Sequence, residues 1–166
     1  VNDDPVAVDD STSVAEDSSD NQVDVLGNDV DIDGDSLIIV SVTDPGNGFA
    51  SQDGSFVYYT PDADYNGQDQ FSYTISDGNG GSDSATVFVT VTPVNDVPNA
   101  VADTVSVVED SSNNQVDVLV NDVDIDGDSL TIVSVSVPSH GSASFDDDFV
   151  YYTPDVDYTG SDQFSY

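Results

Sequence analysis

The sequence predicts an all-β chain built as two tandem sandwich domains, the second of which lacks its last strand. Three observations support this fold class. A long internal repeat divides the chain, apolar and polar residues alternate in short runs, and turn-forming residues separate those runs. No stretch shows the three-to-four-residue apolar spacing of an amphipathic helix.

The internal repeat is collinear over most of the 166 residues. Val23–Leu37 returns as Val116–Leu130, and Asp69–Tyr73 returns as Asp162–Tyr166, at a constant offset of 93 residues (116 − 23 and 162 − 69). Similarity this close implies two copies of one fold. We therefore expect copy one to occupy residues 1–94 and copy two to occupy residues 95–166.

Copy one contains seven predicted strands. The last one alternates most clearly, because Ala85, Val87 and Val89 share one face. Hairpin signals stand at Asp53-Gly54 and in the run from Asp77 to Gly81. Seven short strands without helices are typical of an immunoglobulin-like sandwich. The predicted strands are Ser11–Glu16, Gln22–Leu26, Leu37–Thr43, Gly48–Gln52, Ser55–Thr60, Asp69–Ser76 and Ser82–Thr92.

The predicted core follows from the same alternation. It comprises Val23, Val25, Ile39, Phe56, Tyr58, Phe71, Tyr73, Val87 and Val89. Copy two stops at Tyr166, before any counterpart of the last strand, so its edge Asp162–Tyr166 is expected to lie bare over an open core. A strand from another chain is one way to complete it; an arbitrary end of the fragment or a disordered segment is the simpler explanation.

The charge balance is extreme. The chain has 34 acidic residues and no Lys or Arg, for a formal charge of −34. Such a chain has nothing with which to neutralise phosphates, which excludes nucleic acid and anionic membrane surfaces as partners. Cys is absent, and no apolar run is long enough to span a bilayer. Mutual repulsion of the carboxylates opposes compaction, so bound divalent cations or ambient salt must offset it.

An acidic loop between the second and third strands has the spacing of a calcium loop. Alternate Asp residues put several carboxylates on one side, and Gly34 and Gly127 permit the positive φ that wraps backbone around an ion. This is the opening of the EF-hand pattern without its closing Glu, since Val40 and Val133 stand at that position. The predicted calcium ligands are Asp29, Asp31, Asp33 and Asp35 in copy one, and Asp122, Asp124, Asp126 and Asp128 in copy two. A solvated acidic turn is the alternative interpretation.

Further ligands have to come from outside the loop. The acidic pairs Glu16-Asp17 and Glu109-Asp110 follow the first strand of each copy, and Asn95-Asp96 lies at the junction. Prolines at positions 93 and 98 make that junction short and stiff. The run from Asp77 to Asp83 is interpreted as an ordinary glycine-rich hairpin.

Several motifs resemble a known group of proteins. The motifs NDxPVAVDD, VDVLxNDVDxDGDSL, YTPDxDYNGxDxFSYTISDGNGGSDSATV and PVND are similar to the tandem repeats called cadherin-like, VCBS-like or immunoglobulin-like, found in large bacterial surface and secreted proteins. The resemblance covers the whole chain. It implies a cadherin-like β-sandwich, Ca²⁺ at loops and at the inter-repeat junction, and a location outside the cell or on the bacterial surface.

The functions that follow are non-enzymatic. The first is a structural or adhesive module whose loops and junction calcium rigidifies. The second is a carbohydrate-binding module of a polysaccharide-degrading enzyme, with Tyr59, Tyr65 and Tyr158 stacking on sugar rings if exposed. The third is association with another copy or another protein. Catalysis is disfavoured because His140 has no counterpart in copy one and no nucleophile stands beside it.

Overall fold

A computed structural model describes every residue from Val1 to Tyr166. The chain divides into two compact units, Val1–Val94 and Asn95–Tyr166. Every regular element is a β-strand. Unit 1 contains β1 (Asp10–Ala15), β2 (Asn21–Val23), β3 (Ile38–Val42), β4 (Gly48–Gln52), β5 (Val57–Pro61), β6 (Gly67–Ser76) and β7 (Ser82–Thr92). Unit 2 contains β8 (Asn114–Val116), β9 (Gly141–Phe145) and β10 (Val150–Pro154).

Two sheets form the sandwich of unit 1. One has the order β1-β7-β6-β3 and the other has the order β2-β5-β4. β1 runs parallel to β7, whereas all the other pairs are antiparallel. β7 is therefore the central strand that joins β1 to the rest of its sheet.

The core of unit 1 lies between these sheets. β7 buries Ala85, Val87, Val89 and Val91, while Phe88 on its other face is 46% exposed. This alternation confirms the predicted faces of the last strand, since side chains alternate along a strand. Tyr59 of the opposite sheet stacks on Phe71 of β6 at a ring-centroid distance of 5.9 Å, which ties the two layers together.

The predicted core is wrong at one strand. Phe56 and Tyr58 were expected inside, but β5 buries Val57 and Tyr59, which are both 0% exposed. The run FVYY has apolar residues on both faces, so alternation does not fix its phase. Tertiary contacts determine which face of β5 points inward. The Tyr59 hydroxyl donates to buried Asp69 at 2.9 Å, while the Tyr58 hydroxyl donates to Asp53 at the surface.

Unit 2 contains one three-stranded sheet, in the order β8-β10-β9. This sheet is the counterpart of β2-β5-β4, shifted by the repeat offset. Residues 103–108 and 160–166, which correspond to β1 and most of β6, contain no strand. In unit 1 the equivalents of both segments hydrogen-bond to β7.

Candidate metal site

The loop after β2 curls around the side chain of Asp31. Its Oδ1 accepts the backbone N–H groups of Asp33 at 2.9 Å and Asp35 at 3.2 Å. Gly34 has a φ of 79°, a region that only glycine enters without strain, and its N–H donates to the Asp31 carbonyl. The positive φ inferred from the position of this glycine is thus present.

The curl brings three carboxylates together. One oxygen from each of Asp31, Asp33 and Asp35 lies within 4.8 Å of the other two. Like charges at this separation repel, and no Lys or Arg exists to neutralise them. Asp31 Oδ2 is buried and has no hydrogen-bond partner. An oxygen in that state is costly unless a ligand reaches it.

Two other segments of unit 1 hold the loop in place. The backbone N–H of Asp3 donates to Asp33 Oδ2 at 2.7 Å, and Asn79 Nδ2 donates to Asp35 Oδ2 at 2.8 Å. These bonds and those to Asp31 Oδ1 use one oxygen of each carboxylate. A second oxygen of each remains for a cation, and oxygen-only donors are what calcium prefers.

Asp77 is a feature of this region that the sequence interpretation missed. Its hairpin was interpreted as an ordinary glycine-rich turn, but the Asp77 carboxylate is buried, with 5% exposure. It accepts Asn2 Nδ2 at 2.7 Å and the N–H groups of Asn79 and Gly81. These donors, the Asn2 amide first, hold the pKa of Asp77 below its usual value. The sequence signal was available, since Asp before a Gly-Asn-Gly-Gly run is placed to accept backbone N–H groups.

The loop of unit 2 repeats the backbone hydrogen bonds of this curl. Asp124 Oδ1 accepts the N–H groups of Asp126 at 3.0 Å and Asp128 at 3.2 Å, and Gly127 has a φ of 78°. The backbone N–H of Asp96 donates to Asp126 Oδ2 at 2.7 Å, as Asp3 does to Asp33. One local sequence therefore specifies one local structure twice.

Asp29 and Asp122 were predicted to join these loops as ligands, which stays a prediction, and the structure gives both the same hydrogen-bond partners in the two units. Asp29 Oδ1 accepts the Val8 N–H at 2.8 Å and the Tyr73 hydroxyl at 3.0 Å. Asp122 Oδ1 likewise accepts the Val101 N–H and the Tyr166 hydroxyl. Each anchors the segment that contains Val8 or its counterpart Val101, and each accepts a tyrosine hydroxyl.

The acidic pairs Glu16-Asp17 and Glu109-Asp110 have partly different surroundings in the two units. Glu16 is buried and accepts Asn66 Nδ2 and the Val94 N–H, whereas Glu109 is exposed. Asp17 accepts the Asp64 N–H and Asp110 accepts the Asp157 N–H. Asn95 is exposed, and its side chain donates to the Asp96 carbonyl. Their role as metal ligands stays a prediction.

The three tyrosines named as candidates for stacking on sugar rings differ in exposure and contacts. Tyr59 is 0% exposed, so it offers no face to a ring. Tyr65 packs against the core and donates to the Gln68 carbonyl. Tyr158 stacks on His140 at a centroid distance of 4.4 Å, which occupies one of its faces.

No helix of this structure has the length and apolar character needed to cross a membrane. Its seven-strand unit defines an immunoglobulin-like β-sandwich repeat protein with acidic loops. Comparison of the sequence with family models then gives the family itself. Residues 2–90 and 95–166 match the model of the bacterial Ig domain, and the chain belongs to that family.

Two curated proteins are similar to parts of the chain. The protein GAMETE EXPRESSED 2 of Arabidopsis thaliana is 39% identical over 87 residues, which is 52% of this chain and 9% of that protein. The integrin beta-like protein E of Dictyostelium discoideum is 32% identical over 135 residues, which is 73% of this chain and 7% of that protein. The chain thus spans less than a tenth of either relative.

Among solved structures, an endo-fucoidan hydrolase of glycoside hydrolase family 107 aligns with 96% of this chain and 28% of its own. The sequence identity is 17% and the TM-score is 0.40.

Proposed function

We propose that this chain is a calcium-binding structural module of an extracellular repeat protein, in which the bound ion stiffens the acidic loop of each unit. The observation that carries the proposal is Asp31 Oδ2, a buried carboxylate oxygen without a donor, among three clustered carboxylates. Calcium suits this site better than magnesium, because it accepts six to eight oxygens in loose geometry, whereas magnesium requires a tight octahedron.

The composition supports the same proposal. With 34 acidic residues and no Lys or Arg, the folded chain concentrates negative charge that no side-chain cation offsets. A bound dication replaces carboxylate repulsion with bridging between the loop's own side chains. Asp31, Asp33 and Asp35 would supply the oxygens, and Asp3 and Asn79 keep two of these carboxylates oriented.

A structural role also fits the family, because bacterial Ig domains are typically non-catalytic. The single imidazole, that of His140, is stacked on Tyr158. Members of this family are commonly extracellular, where millimolar calcium fills even weak oxygen sites. We propose that such a module serves in adhesion or as a spacer between functional domains.

The test is calcium titration of the full chain by isothermal calorimetry, beside thermal unfolding in calcium, magnesium or EDTA. We expect calcium to raise the free energy of unfolding by about 2.7 kcal/mol at a hundredfold excess over Kd. The double variant Asp31→Asn/Asp33→Asn should lose the heat of the unit 1 site, and Asp124→Asn/Asp126→Asn that of the unit 2 site.

A matched control separates site binding from general charge effects. Asp44 and Asp62 are exposed and lie outside the loop, so Asp44→Asn/Asp62→Asn removes the same charge. This control should bind calcium like the unmodified chain. Equal loss of calcium binding in the control and loop variants would contradict the proposal, as would unfolding curves that calcium leaves unchanged.

A further inference from the structure

The feature that the proposed function leaves unexplained is the solvent side of the sheet β2-β5-β4 in unit 1. Side chains alternate along β5, so Tyr59 points into the core and Tyr58 points toward solvent. The registers of β2 and β4 against β5 identify the other side chains on the solvent side. We call this set the outer face of unit 1, and it consists of Gln22, Phe49, Ser51, Tyr58 and Thr60.

The outer face contains no carboxylate among its five side chains, although 34 of the 166 residues of the chain are acidic. Its polar groups are three hydroxyls and one amide, and each of these groups both donates and accepts hydrogen bonds. Asp53 lies at one end of the face, where its Oδ2 accepts the Tyr58 hydroxyl at 2.9 Å. The outer face is therefore a neutral hydrogen-bonding surface on a strongly anionic chain.

Two aromatic side chains lie on this neutral surface. Phe49 is 62% exposed, and Tyr58 is half-buried with its hydroxyl oriented by Asp53. Phe49 pairs with Thr60, and Tyr58 lies two positions before Thr60 on β5, so the two aromatic residues are diagonal neighbours on adjacent strands. The outer face thus presents two neighbouring aromatic rings with hydroxyl and amide groups around them.

This combination of groups matches an uncharged sugar chain. Sugar rings have C–H faces that pack on aromatic rings, and they have hydroxyls at their rims that pair with hydroxyl and amide groups. The formal charge of −34 repels an anionic polymer, whereas a cationic polymer is drawn to the carboxylates throughout the chain rather than to this face. An uncharged polysaccharide is subject to neither effect, so it is the polymer that the outer face selects.

The size of the outer face disfavours a protein partner or a second copy of the chain. β4 and β5 have five residues each, and three strands about 4.8 Å apart with about 3.4 Å per residue cover roughly 10 by 17 Å, or about 170 Å². A specific protein interface needs about 800 Å² from each partner. We infer that the outer face of unit 1 binds a short stretch of an uncharged polysaccharide, with Phe49 and Tyr58 stacking on its sugar rings.

Unit 2 supplies a comparison within the same chain, because its sheet β8-β10-β9 repeats the outer face with one change. Ser142 stands where unit 1 has Phe49, and the other four positions are identical in the two units. The Tyr151 hydroxyl donates to Asp146 at 2.8 Å, as the Tyr58 hydroxyl does to Asp53. The two faces therefore differ by one aromatic ring, and unit 1 is expected to bind the polysaccharide more tightly.

The test is affinity electrophoresis of the full chain, in calcium, through native gels that contain hydroxyethylcellulose, galactomannan or dextran. Carboxymethylcellulose, which has the backbone of hydroxyethylcellulose but carries carboxylates, is the charged comparison. We expect at least one of the three uncharged polysaccharides to retard the chain and carboxymethylcellulose not to retard it. Phe49→Ser gives unit 1 the outer face of unit 2, and it should weaken binding about tenfold because one stacked ring is lost.

Two further variants test the location. Phe88→Ser removes a ring that is 46% exposed on the other sheet, so it should bind like the unmodified chain, whereas Ser142→Phe adds the second ring to unit 2 and should increase retardation. Circular dichroism checks that each variant keeps its β structure. The proposal is overturned if no uncharged polysaccharide retards the chain, if Phe49→Ser and Phe88→Ser bind equally well, or if Ser142→Phe gains nothing. A dimer in gel filtration that Phe49→Ser dissociates would assign the face to a second copy and would also overturn it.

Discussion

At the residue scale, the Tyr73 hydroxyl is the most crowded polar group of unit 1. Its oxygen lies 3.0 to 3.2 Å from five acceptor atoms, which belong to Asp10, Asp29, Val8 and Val25. One hydroxyl has one proton to donate, so the two carboxylates compete for it. Burial raises the pKa of both Asp10 and Asp29 above 3.8, and their mutual repulsion adds to the shift of Asp10.

This cluster predicts that mild acid stabilises the calcium-free chain. Because the folded pKa of Asp10 and Asp29 is raised, the folded state binds protons more tightly than the unfolded state. Their contribution is fully present below 3.8 and is lost as pH rises through the folded pKa. Urea unfolding in EDTA should therefore show stability increasing as pH falls from 7 toward 4.

The variant Asp10→Asn isolates this contribution. It removes one competing charge, so it should raise stability at pH 7 and flatten the dependence on pH. Asp44→Asn, which removes an exposed charge, is the control and should leave the slope nearly unchanged. Identical pH profiles for the two variants would refute the assignment. Below 3.8 the trend should reverse, because hydrogen bonds lower the pKa of Asp53 and Asp146.

At the scale of elements, β5 shows how one strand is assigned its faces. Its two adjacent tyrosines are chemically identical, but Tyr59 is fully buried and Tyr58 is half-buried. The Tyr59 hydroxyl reaches Asp69, which also accepts the N–H groups of Gly46 and Asn47. This strand therefore joins the core to the turn before β4 through a single buried carboxylate.

The two tyrosines are predicted to differ strongly in their contribution to stability. Tyr59→Ala should lower the free energy of unfolding by about 3–5 kcal/mol, because it opens a cavity and removes the side-chain donor to buried Asp69. Tyr58→Ala should cost about 1 kcal/mol or less, since it removes a surface hydrogen bond and part of a half-buried ring. Urea unfolding monitored by circular dichroism measures both, and comparable losses would show that β5 has the opposite phase.

At the scale of the whole molecule, net charge opposes the fold. Each unit carries many carboxylates and no basic side chain other than His140. Repulsion among exposed charges is screened by salt, and the screening length falls from ~10 Å at 0.1 M to ~3 Å at 1 M. Without salt or bound cations, burial of the apolar core of each unit alone has to outweigh this repulsion.

We therefore expect the calcium-free chain to gain stability with ionic strength. In EDTA, the urea midpoint should rise steadily between ~10 mM and ~1 M NaCl, because screening weakens a repulsion that is larger in the compact state. Tetramethylammonium chloride should act similarly, since screening needs no specific cation site. With calcium bound, the same salt series should have a smaller effect. A midpoint independent of salt would show that repulsion does not limit stability.

Local sequence patterns were sufficient to predict much of the structure of this protein. The alternation of apolar and polar residues located β7. The Asp-Gly turn located the hairpin between β4 and β5, and the glycine-rich turn located the hairpin between β6 and β7. The curled loops with positive φ at Gly34 and Gly127 followed from residue spacing alone. Such features are encoded within a few neighbouring residues, so they can be predicted before any tertiary contact is known.

Other features depend on residues that are distant in sequence. The phase of β5 is set by Phe71 and Asp69 in a different strand, and Asp29 is drawn to Tyr73, 44 positions along the chain. Asp77 becomes buried because Asn2 and Gly81 fold over it. In each case the sequence allows two arrangements of similar local energy, and only packing and burial of polar atoms in the folded sandwich choose between them.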